Sequence, residues 1–342
     1  MTSKSDASRQ HISFDGVAGG RLQRWGWSEH EEAAFRLSSE PGDSPGRVAR
    51  VHRRALDLLT GPDDVYTRVD APRISVPRGG ITVGDWVVLH TTAGATKIRR
   101  VLERRSLLER VGPDGRVQAL AANVDYVFIC FSVDQPISTQ LVERFLTSAH
   151  GSGATPVVLL TKADLTRERQ EKEKALRSVC LATSVHTVSA FSGEGVEVVL
   201  NLAHPNKTLT LIGPSGVGKT TLVNRMTGLS LATGEVGPRR LGRHTTTKRE
   251  MVSIPSGGVI IDTPGLRTMV PTPNDEGLAA TFPEITERAS LCRFRDCSHR
   301  SEPGCAVQAA IAEGTIEPRR LEHWRALKEE MERAASGRRR RG

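Results

Sequence analysis

Nine consecutive residues, Gly213-Pro214-Ser215-Gly216-Val217-Gly218-Lys219-Thr220-Thr221, contain the pattern G-x-x-x-x-G-K-[ST] and follow an apolar run. The pattern is one that holds the phosphates of a nucleotide. Glycines let successive backbone N–H groups turn inward around a β-phosphate, Lys219 brings a point charge to the β- and γ-oxygens, and Thr220 offers a hydroxyl to Mg²⁺. A helix starting at Lys219 would add its positive end. Further along, Cys292, Cys297, His299 and Cys305 gather three thiolates and one imidazole in a short stretch. Cys₃His is a closed tetrahedral set for one structural Zn²⁺ and leaves no open position for metal catalysis.

Other short motifs bear on the nucleotide and the reaction. Asp262-Thr263-Pro264-Gly265 follows another apolar run and puts a carboxylate where the Mg²⁺ side of a phosphate site needs one, with the Gly265 N–H placed to sense a γ-phosphate. Between it and the loop lies His244-Thr245-Thr246-Thr247; Thr246, with Thr245 as the near alternative, is the candidate to complete Mg²⁺ coordination. Thr161-Lys162-Ala163-Asp164 resembles the N-K-x-D motif of GTPases, in which the Asp accepts hydrogen bonds from guanine N1 and N2. Adenine lacks that donor pair and would leave the carboxylate unpaired. Lys162 would lie along the base plane. Thr161 stands where Asn is usual, which weakens one loop-bracing interaction. Ser189-Ala190 resembles the loop whose backbone N–H meets guanine O6. The residue after Gly265 is Leu266, which cannot orient a water as the Gln of Ras-like enzymes does. Intrinsic hydrolysis is therefore expected to be slow, with His244 or a partner supplying the missing group. The loop wording also resembles guanylate-type nucleoside monophosphate kinases; transfer of phosphate to an acceptor other than water would mark that alternative. An RNA-binding scaffold with a merely structural nucleotide would show no turnover at all.

These residues need a scaffold, and the chain offers one. Apolar strands alternate with helices from about residue 121: strands at 124–133, 156–160, 186–188, 208–212 and 259–261, helices at 139–149, 167–179, 196–202 and from Lys219. Such alternation implies a parallel sheet flanked by helices, an α/β P-loop fold. The base motif precedes the phosphate loop, the reverse of the order in most GTPases. Joining the ordinary termini and reopening the chain elsewhere would give this order, so the segment, placed at 117–270, looks like a circularly permuted GTPase domain.

Ahead of it, runs at 47–51, 55–59, 65–69, 85–89 and 97–102 are punctuated by turn residues, and five short strands in 47–116 suit an OB-fold barrel. The barrel is basic, with Arg47, Arg50, Arg53, Arg54, Arg99, Arg100, Arg104 and Arg105 as candidates for RNA contact. Residues 1–46 are expected to be a weakly structured extension, in which Trp25 and Trp27 either pack on the next domain or stay loose. Residues 271–342 are expected to form a mostly helical zinc-binding domain with a basic tail, Arg338 to Arg341. Leu321, Trp324, Leu327 and Met331 form one packing stripe. Arg288, Arg293, Arg295, His299 and Arg300 would offer a basic surface around the knuckle, whereas Cys130 and Cys180 are expected in the core.

The 342 residues carry 48 Lys+Arg against 39 Asp+Glu, a net charge of +9 that points to a polyanionic partner such as nucleic acid. Five Cys, three of them in one cluster, exclude a distributed disulfide framework. No apolar run approaches the ~18 residues of a membrane span, and the first residues show no apolar signal-peptide core. The expectation is a cytoplasmic protein that does not engage a membrane.

The OB-like segment, the permuted motif order, Leu266 in the Gln position and the Cys₃His set together resemble the bacterial ribosome small subunit-dependent GTPase A family. The resemblance runs from about Arg47 to Arg333 and takes in Gly84-Asp85-Trp86-Val87 and Ala122-Asn123-Val124-Asp125. It implies a GTP hydrolase that acts late in maturation of the small (30S) ribosomal subunit. The barrel and zinc domain would contact rRNA, the subunit would stimulate hydrolysis, and GDP formation would release the protein. The implied cofactors are one structural Zn²⁺ and Mg²⁺ with GTP, and nothing demands more than a monomer.

Overall fold

Strand periodicity sends alternate side chains to opposite faces, and in the barrel both faces are used. The computed structural model describes residues 22–61, 63, 65–72, 74–112, 115–165, 169–229, 250–262 and 271–339. Five strands, β1 (Asp43–Val51), β2 (Ala55–Leu59), β3 (Tyr66–Asp70), β4 (Trp86–Thr92) and β5 (Ala95–Val101), pair antiparallel in the order β3-β2-β1-β4-β5. That is the five-stranded barrel expected of an OB-fold. Val48, Leu58 and Val87 fill its interior, while Ala49, Leu59 and Val88 point outward into the main core of the molecule.

The segment before the barrel departs from expectation. Residues 1–21 lie outside the described residues, but from residue 22 onward the chain is ordered and packed rather than weakly structured. Helix α1 (Glu29–Ser38) is capped by a Ser28–Glu31 capping box. Trp25 and Trp27 are buried, Trp27 edge-on against Trp86 at 4.8 Å. The S-x-x-E spacing is a helix-start signal, obscured here by the surrounding Ser, Gly and Arg. Strand β1 also begins earlier than Arg47, running through Pro45. At Pro45 the strand pairs only with β4, so one edge is open and the missing N–H is tolerated.

After a separate hairpin, β6 (Leu107–Val111) with β7 (Val117–Ala122), the α/β unit follows. It comprises β8 (Tyr126–Ser132), α2 (Thr139–His150), β9 (Thr155–Thr161), α3 (Arg169–Arg177), β10 (Val185–Thr187), α4 (Val196–Leu202), β11 (Thr208–Ile212), α5 (Lys219–Thr227), β12 (Glu250–Ser253) and β13 (Val259–Asp262). The strand order is β10-β9-β8-β11-β13-β12, parallel except for β12. From β8 the chain builds outward to β10, then crosses to β11 on the other side of β8. Ligands of such sheets bind at the carboxyl ends of the strands where the order reverses, and the Gly213–Thr221 loop leaves β11 at that point.

Strand β12 also meets β1, with Glu250 opposite Arg50 and their side chains ion-paired, so barrel and α/β sheet are continuous. The C-terminal helices α6 (Asp275–Thr281), α7 (Pro283–Ala289), α8 (Ala306–Ala312) and α9 (Pro318–Arg339) pack around Leu278, Phe282, Ile285, Val307, Leu321 and Leu327. They dock on α2 through the buried Glu143, which accepts from Arg320 at 2.6 Å and pairs with His323 at 2.6 Å. Among the described residues, no helix is long and apolar enough to cross a membrane.

Of the barrel arginines read as an RNA surface, Arg53, Arg54 and Arg100 are exposed. Arg104 is instead committed to Asp85 (2.7 Å) and Arg105 to Glu31 (2.7 Å). Arg47 is wholly buried. It donates to the carbonyls of Trp25, Gly84 (3.3 Å) and Asn123 (3.2 Å) and to Thr208 Oγ1 (2.9 Å), with its guanidinium over the Trp86 ring. These acceptors come from the N-terminal turn, the barrel, the connecting segment and β11. Replacing Arg47 by Ala opens a cavity and orphans buried acceptors, and the expected loss in urea denaturation is about 3 kcal/mol or more.

Candidate functional site

The loop after β11 requires glycine where it is closest to its neighbours. At Gly213 the backbone has φ 137°, and an added Cβ would lie 2.2 Å from the Cys130 carbonyl oxygen, so no larger residue fits. Lys219, the first residue of α5, folds back across the loop and donates to the carbonyls of Gly213 (2.9 Å) and Pro214 (2.6 Å). Burial pushes its ammonium below the ordinary lysine range, against the pull of Cys130 and Asp262. The Asp262 carboxyl, at the end of β13 beside β11, is pushed up by burial and drawn down by Lys219. The two groups thus face one partly desolvated mouth, with Thr220 next in the helix.

A cavity of about 360 Å³ adjoins the loop, lined among others by Thr161, Lys162, Asp164, Ala190, Phe191, Gly218 and Thr221. The motif at the end of β9 is therefore brought against the phosphate loop although it precedes it in sequence. Lys162 has left-handed backbone (φ 57°), and its Nζ donates to Asp134 Oδ2 at 2.8 Å, which fixes its stem. The Ser189 hydroxyl donates to Asp164 Oδ1 and orients the carboxylate. Ala163 lies beneath, its N–H on the Val188 carbonyl at 3.2 Å. Thr161 faces two buried carbonyls, Phe131 O (2.9 Å) and Val217 O in the phosphate loop. One hydroxyl carries a single proton and satisfies only one of them at a time.

Of the anticipated residues, Thr161, Lys162, Asp164, Ala190, Gly218 and Thr221 share the cavity. Gly213, Pro214, Ser215, Gly216, Val217, Lys219 and Thr220 form the adjoining loop and helix start. Ser189 stands behind Asp164. His244, Thr245, Thr246, Gly265 and Leu266 lie outside the described residues. Residues of the site that were not anticipated include Asp134, Gln135, whose Nε2 donates to Ser215 O at 3.4 Å, and Phe191, with Leu165, Val188 and Leu222 also lining the cavity. The signals of the first three were position after the apolar run 124–133 and an aromatic immediately after Ser189-Ala190.

Cys292, Cys297, His299 and Cys305 converge, their donor atoms all within 4.8 Å of one another. Cys292 Sγ lies 3.9 Å from Cys305 Sγ, and His299 Nδ1 lies 3.6 and 3.5 Å from those two sulfurs. A tetrahedral ion with metal–S of ~2.3 Å and metal–N of ~2.0–2.1 Å requires S···S of about 3.8 Å and S···N of about 3.5 Å, so the four donors could hold a metal ion. The His299 carbonyl accepts from Gln308 Nε2 and Arg325, which fix a left-handed backbone of φ 57°. His299 is buried and so is not part of the basic surface expected around this cluster. Arg293, Arg295 and Arg300 are exposed, Arg300 pairing with Glu329 at 2.9 Å. Cys130 and Cys180 are buried core residues, as expected.

The RsgA GTPase family model matches residues 101–270. The small ribosomal subunit biogenesis GTPase RsgA of Opitutus terrae is 37% identical over 338 residues, covering 92% of this chain and 90% of that protein. The protein of the same name from Mesorhizobium japonicum is 40% identical over 316 residues, covering 89% and 88%. The crystal structure of YjeQ from Thermotoga maritima superposes with a TM-score of 0.62 at 26% identity, over 84% of this chain and 98% of that one. YloQ, described as a circularly permuted GTPase, gives 0.61 at 25% identity, over 86% and 97%.

The donor set predicts about one equivalent of tightly bound divalent metal by elemental analysis. Cys297→Ser is expected to lose most of it and to make helices α7 and α8 protease-sensitive, with the α/β unit unaffected.

Proposed function

This chain belongs to the RsgA GTPase family, and on that ground we propose that it hydrolyses GTP as a late maturation factor of the small (30S) ribosomal subunit, which stimulates it. The observation that carries the reading is the adjacency of Asp164 and Lys162 to the phosphate loop across one cavity. The relatives named small ribosomal subunit biogenesis GTPase support the choice of partner.

In this reading Asp164, oriented by Ser189, accepts guanine N1–H and N2–H; Lys162 lays its stem along the base, and the Ala190 N–H meets O6. Two of the three Lys219 N–H bonds are taken by loop carbonyls, leaving one for a phosphate oxygen. Backbone N–H groups of Ser215 to Thr221, at the start of α5, hold the rest of the phosphate charge. Hard oxygen donors suit Mg²⁺, and Thr220 would hold it with Thr246, Asp262 lying on that side. An ion held there would supply positive charge to offset that of the phosphate oxygens. Gly265 would sense the γ-phosphate. Leu266 carries no polar group, so orientation of the attacking water falls to His244 or to the subunit, which accounts for a partner-dependent rate. Cys292, Cys297, His299 and Cys305 would bind one structural Zn²⁺. Exposed Arg53, Arg54, Arg100, Arg293 and Arg295 supply the positive surface for rRNA phosphates. The protein would act as a cytoplasmic monomer, bound to the immature subunit with GTP and released after hydrolysis to GDP.

GTP turnover by the pure protein, alone and with small subunits, large subunits or naked RNA of matched length, tests the reading. Stimulation by an order of magnitude or more is expected with small subunits only, and equal rates in all four conditions would refute it. A second expectation concerns Thr161. Thr161→Asn offers two N–H donors to its two carbonyls and should slow GDP dissociation by about threefold, whereas Thr161→Val should speed it by about tenfold. Stopped-flow release of a fluorescent GDP analogue measures both.

A further inference from the structure

Phe191 is 86% exposed, yet it lines the same cavity as Asp164 and Lys162. It is not carried on a loose loop. The turn bearing it is closed by Ser189 N–H to Glu194 O (2.8 Å), Gly193 N–H to Ser189 O (2.9 Å) and Ser192 N–H to Ser189 Oγ (3.0 Å). The same Ser189 hydroxyl orients Asp164. One short, internally bonded turn thus orients the carboxylate that reads a base edge and carries an uncovered aromatic residue at the mouth of the base cavity.

We propose that Phe191 is a binding residue of the nucleotide site, its ring packing against the face of the purine. The inference rests on the guanine-nucleotide reading of this cavity. A planar base covers an exposed ring by offset or edge stacking, and such stacking is indifferent to the exocyclic groups that Asp164 reads. Phe191 therefore contributes affinity for purines in general, and Asp164 contributes the choice among them.

Calorimetry on the full-length, metal-loaded protein with GDP, IDP and ADP separates the two. Phe191→Ala should weaken GDP and IDP alike by about tenfold, leaving their ratio and the melting temperature of the nucleotide-free protein unchanged. Phe191→Trp should retain affinity, and its added fluorescence should be quenched by GDP. If the parent protein binds ADP as well as GDP, or binds neither, the guanine-nucleotide reading itself fails. If the parent prefers GDP but Phe191→Ala binds it equally well, that reading stands and the Phe191 proposal falls. Unchanged GDP affinity combined with lost stimulation by small subunits would likewise overturn it and assign the ring to the partner.

Discussion

A guanidinium sealed from water holds the parts of this molecule in one arrangement. Burial lowers the Arg47 pKa to about 10, so the group stays charged at neutral pH. Glu31, Asp125 and Asp85 contribute a compensating field without touching it. Its hydrogen bonds go to backbone carbonyls and a hydroxyl, and its flat face rests on Trp86. An arginine can satisfy this many acceptors because its planar fork points donors in several directions at once; a lysine could not. The barrel, the N-terminal turn and the α/β sheet consequently share one polar cage in addition to their common apolar core.

The cage reaches the nucleotide site through a single strand. Thr208 begins β11, and Gly213 follows its last residue. Asp125 binds the Thr208 N–H at 2.8 Å and Lys207 at 3.2 Å, while Arg105 reaches the same carboxylate at 3.4 Å. Barrel and sheet are also joined where β1 meets β12, through the Arg50–Glu250 pair. On the opposite side Glu143 anchors the C-terminal helices to α2. Barrel and C-terminal helices are thus each tied by buried charge to the elements that carry the phosphate loop and its neighbours.

Much of the site was legible because its chemistry is local. The phosphate loop, Asp164 and the Cys₃His set are short motifs whose residue types follow directly from phosphate, guanine and metal geometry, and strand runs in the barrel differ from the observed ones by a few residues. What stayed hidden depends on distant partners. Arg47, Arg104 and Arg105 read as surface charge because nothing nearby in sequence reveals Trp25, Asp85 or Glu31 as their partners. Helix α1 was obscured by composition even though its cap was present. The significance of Thr161 required seeing that the Phe131 and Val217 carbonyls converge on one hydroxyl. Phe191 sat in a polar turn, where an aromatic has no periodic neighbour to betray it.

The Arg47 cage also imposes a timetable. Its donor lies 161 residues ahead of Thr208, and a chain leaves the ribosome from its N-terminus onward. Until residue 208 is made, the Arg47 guanidinium lacks that acceptor. Native closure of the first-made domain thus waits on the strand that leads into the phosphate loop, so a truncated nascent chain exposes an unsealed, basic barrel instead of a finished one. Long-range loop closure makes that final step slow relative to barrel hairpins.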